Sequence, residues 1–124
     1  MKNSMTHTIQ HKLTTEFIGT FFLSLTICTA AVYGSAGEYA PFGIAATLMV
    51  MIYAGGHISG AHYNPAVTVS IYLRGACEKD EVLPYIASQI TAAVSAAIVV
   101  ENLLFPDALA PVAAGLGTDA IVAE

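Results

Sequence analysis

An all-α membrane protein, with three transmembrane helices and one re-entrant half-helix, is the fold class this sequence predicts. Three observations carry that reading. Phe17–Gly37 and Val82–Val100 contain no charged side chain over 21 and 19 residues, and each matches the roughly 20 residues a spanning helix needs. A third stretch, Tyr39–Leu73, is free of Asp, Glu, Lys and Arg over 35 residues, too many for one span. Its middle, Gly55 to Asn64, is rich in Gly, Ser and His and runs into Pro65, which is too polar for a second full crossing. The stretch therefore reads as one span, a bend, and a half-helix that enters the bilayer and stops. Irregular backbone survives at that depth only where protein buries it or it lines a wet cavity. That makes the segment a candidate pore.

Composition agrees. Of the 124 residues 56% are hydrophobic and only 10% charged, against about 25% charged in an ordinary soluble domain. The length bounds the chain to one unit. No phosphate-binding loop, catalytic-triad spacing or basic nucleic-acid patch is present, so neither an enzyme nor a nucleic-acid partner is expected. Cys28 falls within a span and Cys77 in a turn, and two such cysteines form no disulfide framework.

Taken in order, residues 1–11 form a polar tail. The first span covers about 13–33, where Glu16, Thr20, Ser24 and Cys28 recur every four residues and share one helix face. Lys12 ahead of Phe17–Ala31 has the outline of a secretory signal, but the apolar run is too long and Glu16 opens it, so a retained span is expected. A Gly- and Pro-containing turn, 34–41, leads to the second span at about 42–54, which Gly55-Gly56 is expected to end. The re-entrant loop and half-helix occupy 55–73. The nine residues Pro65–Leu73 reach about 13 Å, under half the hydrocarbon thickness. Arg74-Gly75 suits a helix end, and Glu78-Lys79-Asp80-Glu81 reads as a solvated turn. The third span covers about 83–104, with Pro84 in its first turn and Ser88, Ala92 and Ala96 forming a small-residue stripe suited to close helix packing in lipid. Residues 106–124 are Pro-, Gly- and Ala-rich and read as an external loop.

Lys2 and Lys12 precede the first span, and Arg74 and Lys79 follow the half-helix. With three crossings all four fall on one side. The positive-inside rule then places the amino terminus in the cytoplasm and the carboxyl terminus outside, in a multi-pass protein of the cell membrane.

Asn64 before Pro65 is locally a helix start, since Asn caps well and Pro suits the first helical position. Inside a bilayer, the unsatisfied amides and positive dipole end of such a helix must face something polar. A water column supplies it, and the dipole repels cations. His57 and His62 lack the ligand count of a metal site, so they read as loop hydrogen-bonding residues, and no metal or cofactor is expected. Glu16 is costly within a membrane and functional by default. Glu16 is expected to accept hydrogen bonds from free amides of the bend, with Gln89 of the third span similarly placed.

Glu16-Phe17-Ile18-Gly19-Thr20-Phe21, then Gly56-His57-Ile58-Ser59-Gly60-Ala61-His62-Tyr63-Asn64-Pro65-Ala66-Val67-Thr68, then Ala87-Ser88-Gln89 together resemble the first half of an aquaporin, of the major intrinsic protein family. The resemblance covers about Lys12 to Leu104, so 12–105 is read as one repeat of the aquaporin-like fold and 106–124 as leading into a second repeat not present in the sequence. It implies a channel passing water or small neutral solutes across the lipid bilayer, with Asn64, Pro65 and Ala66 at mid-pore and the carbonyls of Gly60, Ala61 and His62 as an acceptor ladder. It further implies loop bracing by Glu16, His57 and Gln89, a selectivity-filter position at Ile44 on the second span, and a homotetramer in the complete form. Ile44 departs from the aromatic residues common there, which leaves solute choice open.

The family's second repeat sits inverted relative to the first, and a full pore requires it. The one-sided basic residues disfavour an upside-down second copy. A truncated channel gene is therefore expected, ahead of a split gene with a separate second half. The competing readings are a non-transporting accessory subunit and an intramembrane metal enzyme using His57, His62 and Glu16.

Overall fold

Thr8 caps the first helix, its hydroxyl accepting from the His11 amide. From there α1 runs Ile9–Ile27 and widens into a π-helical turn over Cys28–Val32. In the computed structural model, which describes residues 7–106, a one-turn 3-10 segment, Gly37–Tyr39, then leads into α2, Ala40–Ser59, with Pro41 in its first turn. A five-residue break, 60–64, separates α2 from α3, Pro65–Leu73. The last helix, α4, covers Lys79–Val99 and ends in a π-helical turn, Val100–Leu104. Three of these segments, Ile9–Val32, Gly37–Ser59 and Lys79–Leu104, are long and apolar enough to cross a membrane, with 24, 23 and 26 residues. Together with the short α3 they form the all-helical fold the sequence predicts. The tail residues 1–6 and the expected external loop beyond residue 106 lie outside the described residues.

Two boundaries differ from the sequence expectation. α2 does not stop at Ala54 but continues through Gly55-Gly56 to Ser59. The glycines thin the helix instead of ending it: a Cβ on Gly55 would collide with the Tyr63 hydroxyl and the Thr15 methyl. α4 begins at Lys79 and not at 83, with Asp80 and Glu81 in its first turn, where carboxylates favour the positive helix end. Pro84 consequently sits inside the helix. The bond it cannot make would have gone to the carbonyl of Asp80, an exposed residue.

α1 packs along both α2 and α4, and α3 rests on α4. α1 and α4 run parallel. Near their starts Lys12 Nζ meets Glu81 Oε1 at 2.6 Å and Ser88 Oγ donates to the Leu13 carbonyl at 2.9 Å. At the other end the Tyr33 and Phe105 rings stack 4.6 Å apart. Ala92 and Ala96 are fully buried in α4, so small side chains allow that close approach. Arg74 and Lys79 flank the turn at the Lys12 end. That turn closes α3 with a Schellman motif: Gly75 (φ 77°) donates to Tyr72 O and Ala76 to Ile71 O.

Among the described residues the interior holds several polar side chains, and many large apolar ones lie on the surface. Glu16, Gln89 and Thr68 are fully buried, with Tyr85 and Val100, while Phe42, Tyr53, Leu73, Leu83 and Leu103 are all more than 70% exposed. A water-soluble fold reverses that distribution.

Candidate functional site: the corner between α2 and α3

Gly60 ends α2 in the left-handed region (φ 88°), and Ala61 (φ 52°) and Tyr63 (φ 50°) are left-handed as well. Non-glycine residues pay roughly 1–2 kcal/mol each for that conformation, so surrounding contacts must enforce it. Glu16 provides them. Its Oε1 accepts from Ser59 Oγ (2.7 Å) and the His62 amide (2.9 Å), and its Oε2 from the Tyr63 amide (2.6 Å) and Gln89 Nε2 (2.9 Å). Ser59 Oγ in turn accepts from the Ala61 amide at 3.1 Å. Three successive amides thus converge on one polar centre, an arrangement of main-chain donors that suits an anion.

The outward side of the corner follows from covalent geometry. Every described peptide is trans, and a trans peptide points its carbonyl opposite to its amide. With the amides of Ala61, His62 and Tyr63 turned inward, the carbonyls of Gly60, Ala61 and His62 turn away from Glu16. Among the described residues no backbone donor reaches those three oxygens. Gly60 and Asn64 are exposed, whereas His62 and Tyr63 are buried.

Asn64 caps α3. Its Oδ1 accepts from the Ala66 amide at 2.8 Å, and this fixes which way its amide faces: the acceptor is turned to the helix, leaving Nδ2 as a donor. Thr68, one turn along α3, ties the cap inward. Its hydroxyl donates to Asn64 O (3.1 Å), accepts from Gln89 Nε2 (2.9 Å) and touches His62 Nδ1 at 3.2 Å. With its one proton spent on Asn64, Thr68 must accept from His62, which assigns the ring proton to Nδ1.

Tyr63 is the mechanical part of the corner. Its ring lies where a Cβ on Gly19 would stand, and its hydroxyl donates to Met51 O at 2.8 Å. Tyr85 OH donates to Ser59 O at 2.9 Å and its ring packs on His62, centres 5.0 Å apart.

The structure thus brings Glu16, Gln89, Gly60, Ala61, His62, Asn64, Pro65 and Ala66 together. Two sequence candidates stay apart. Among the described residues the His57 side chain makes no hydrogen bond to the loop: it remains in α2, exposed, with its ring 6.3 Å from that of His7. Because the helix runs on past it, its side chain turns to the rim of a polar cavity of about 250 Å³ bordered also by Lys12, Gly60, His62, Cys77 and Glu81. There burial, reinforced by the Glu81 carboxylate, pushes the Cys77 thiol up. Ile44 is half-buried near the start of α2, about 22 Å along the helix from Ser59. Among the described residues no three His, Cys, Asp or Glu side chains stand close enough to hold a metal ion. Sequence reasoning gave no role to Tyr63, Thr68, Ser59, Tyr85 or Gly19. A signal existed for two of them: Thr68 lies four residues after Asn64, and Tyr85 four before Gln89, on shared helix faces.

Comparison with known proteins bears on this corner. A family model described as "Major intrinsic protein" matches residues 4–123. The chain is 41% identical over 97 residues to "Aquaporin Z" of Photorhabdus laumondii, covering 71% of this chain and 41% of that protein. It is 39% identical over 95 residues to "Aquaporin Z" of Bradyrhizobium diazoefficiens, covering 69% and 39%. With "Aquaporin NIP1-1" of Arabidopsis thaliana it shares 41% identity over 100 residues, 76% of this chain and 33% of the other. The matched regions thus span 33% to 41% of these relatives' length. No solved structure matches the chain.

Proposed function

This chain belongs to the major intrinsic protein family, a family of membrane channels and not of enzymes, and on that premise we propose that it supplies one half of a pore for water or small uncharged solutes. The observation that carries the reading is the Asn64 amide. Its oxygen is held by Ala66, so Nδ2 is offered as a donor from an exposed residue at the positive end of α3. A water meeting that donor must present its oxygen to it and turn its hydrogens away. The outward carbonyls of Gly60, Ala61 and His62 then accept those hydrogens along the path to the polar cavity at the Lys12 end. Small neutral molecules that both donate and accept suit this sequence of groups. A cation at Asn64 meets a helix dipole of its own sign.

Half of the wall must come from elsewhere. An inverted second repeat would set a second half-helix against α3, and it is supplied either by more of the same polypeptide or by another chain. The positive-inside rule, with Lys2, Lys12, Arg74 and Lys79 on one side, supports a cytoplasmic amino terminus, and the family resemblance supports a homotetramer for the complete form. Because the matched regions span less than half of the relatives' length, the second reading is that these 124 residues alone are a non-conducting subunit.

Stopped-flow swelling of proteoliposomes tests both. The 124-residue chain reconstituted with an aquaporin second half should raise water permeability at least tenfold over empty vesicles, and the chain alone should not. Verified co-insertion without any rise would reject the half-pore reading.

A further inference from the structure

His7, His11 and His57 are three of the chain's four histidines, and the fold gathers their rings where α1 begins and α2 ends. His7 is the common partner. Its ring centre is 6.4 Å from that of His11 and 6.3 Å from that of His57, edge to face in both cases. Thr8, the next residue, caps α1, so the His7–His57 contact ties the lead into α1 to the last turn of α2. No hydrogen bond reinforces it: among the described residues His7 makes none. Beside the His7 and His11 rings lies a cavity of about 360 Å³ whose other walls are Thr14, Thr15 and Ile58.

The contact suits uncharged imidazoles. An edge-to-face pair sets a positive ring edge on a negative ring face, and a single charged ring keeps that attraction. Two charged rings at this distance repel each other, and the surroundings offer no relief. Thr8 and His11 stand at the positive end of α1, whose first turn holds no acidic residue. Across the polar cavity, the charged and titratable groups facing His57 are Lys12, Cys77 and Glu81, with the buried His62 and Tyr85. Glu81 is the one carboxylate among them, and the Lys12 ammonium already meets it at 2.6 Å.

We propose that these rings form a proton-released clasp, closed while at most one of His7 and His57 is charged and open once both are. The closed state then binds fewer protons than the open one, so closure is lost as pH falls. The window is the range between about pH 8 and 5 in which histidine commonly gains its charge. A charge on His11 adds to the repulsion on His7. Opening frees the lead into α1 from the rim of the polar cavity that His57 borders. The clasp uses none of the groups at Asn64 and does not depend on the channel reading.

Order at His7 and Thr8 tests it, read as the heteronuclear NOE of their amides in the 15N-labelled chain in lipid nanodiscs. At about pH 7.5 the values should match those of mid-α1, and at about pH 5 they should fall at least twofold. Position 57 is exposed, so variants there should fold, with unchanged resonances at the Glu16 corner as the check. His57→Phe keeps a ring face but takes no proton, so the high values should persist at about pH 5. His57→Gln removes the ring and should give low values at both pH values. Equal values at both pH values in the unmodified chain would overturn the proposal. So would a Phe variant that still opens on acidification, which would make Glu81 or another group the switch. A Gln variant ordered at about pH 7.5 would show that the rings do not hold the segment, and would overturn it too.

Discussion

The corner at 60–64 and the opening half of α2, residues 40–51, belong to the same charge-free stretch, yet they are built on opposite terms. The early part of α2 is regular helix with Phe42, Met49 and Val50 exposed, and among the described residues its one side-chain hydrogen bond to another helix is Thr47 to Thr26 at 3.1 Å. The corner is irregular, and each inward amide and hydroxyl is tied to a named partner. The contrast teaches where specification is needed in a bilayer. A helix satisfies its own main chain and needs only apolar side chains outside. A broken helix must borrow acceptors, and here a single carboxylate lends most of them.

Breaking the corner should therefore cost far more than breaking the early helix. Glu16→Ala removes four accepted hydrogen bonds and leaves buried donors unpaired at about 1–3 kcal/mol each. The expected loss is roughly 5 kcal/mol or more, read as collapse of folded yield in a detergent unfolding titration. A variant as stable as the parent, changed only in solute choice, would refute this account. Gly19→Ala comes next: its methyl would occupy the Tyr63 ring, and such overpacking costs about 2 kcal/mol in the same titration. Full stability would mean Tyr63 is not held where described.

Asn64→Asp tests the outward side of the corner. The cap bond to Ala66 survives because a carboxylate oxygen still accepts, but the donor is lost. In a reconstituted pore, water permeability should fall about tenfold, some 1.4 kcal/mol in barrier height, with normal membrane abundance. Unchanged swelling at equal abundance would remove Asn64 from the path. The smallest effect belongs to the early helix. Thr26→Val deletes the Thr47 bond and should cost about 0.6 kcal/mol, the average for interhelical hydrogen bonds in membranes. A loss comparable to that of Gly19→Ala would erase the distinction between the two regions.

Sequence alone determined the all-helical membrane class, the break in the second apolar stretch and the start of a half-helix at Pro65, because these depend on local quantities: run length, charge placement and the chemistry of Asn-Pro. It also singled out Glu16 and Gln89 as polar residues in apolar spans. Only the tertiary structure decided what they meet. Gly55-Gly56 looked like a helix end because helix propensity is local, whereas the space they leave is filled by Tyr63 from a later turn. His57 looked equivalent to His62 because both flank the bend, but one further turn of α2 carries it to the rim. The outward carbonyls follow from where Glu16 stands, 43 to 47 residues earlier in the chain than the groups it holds. No short-range pattern encodes that distance; packing of α1 against α2 and α4 does.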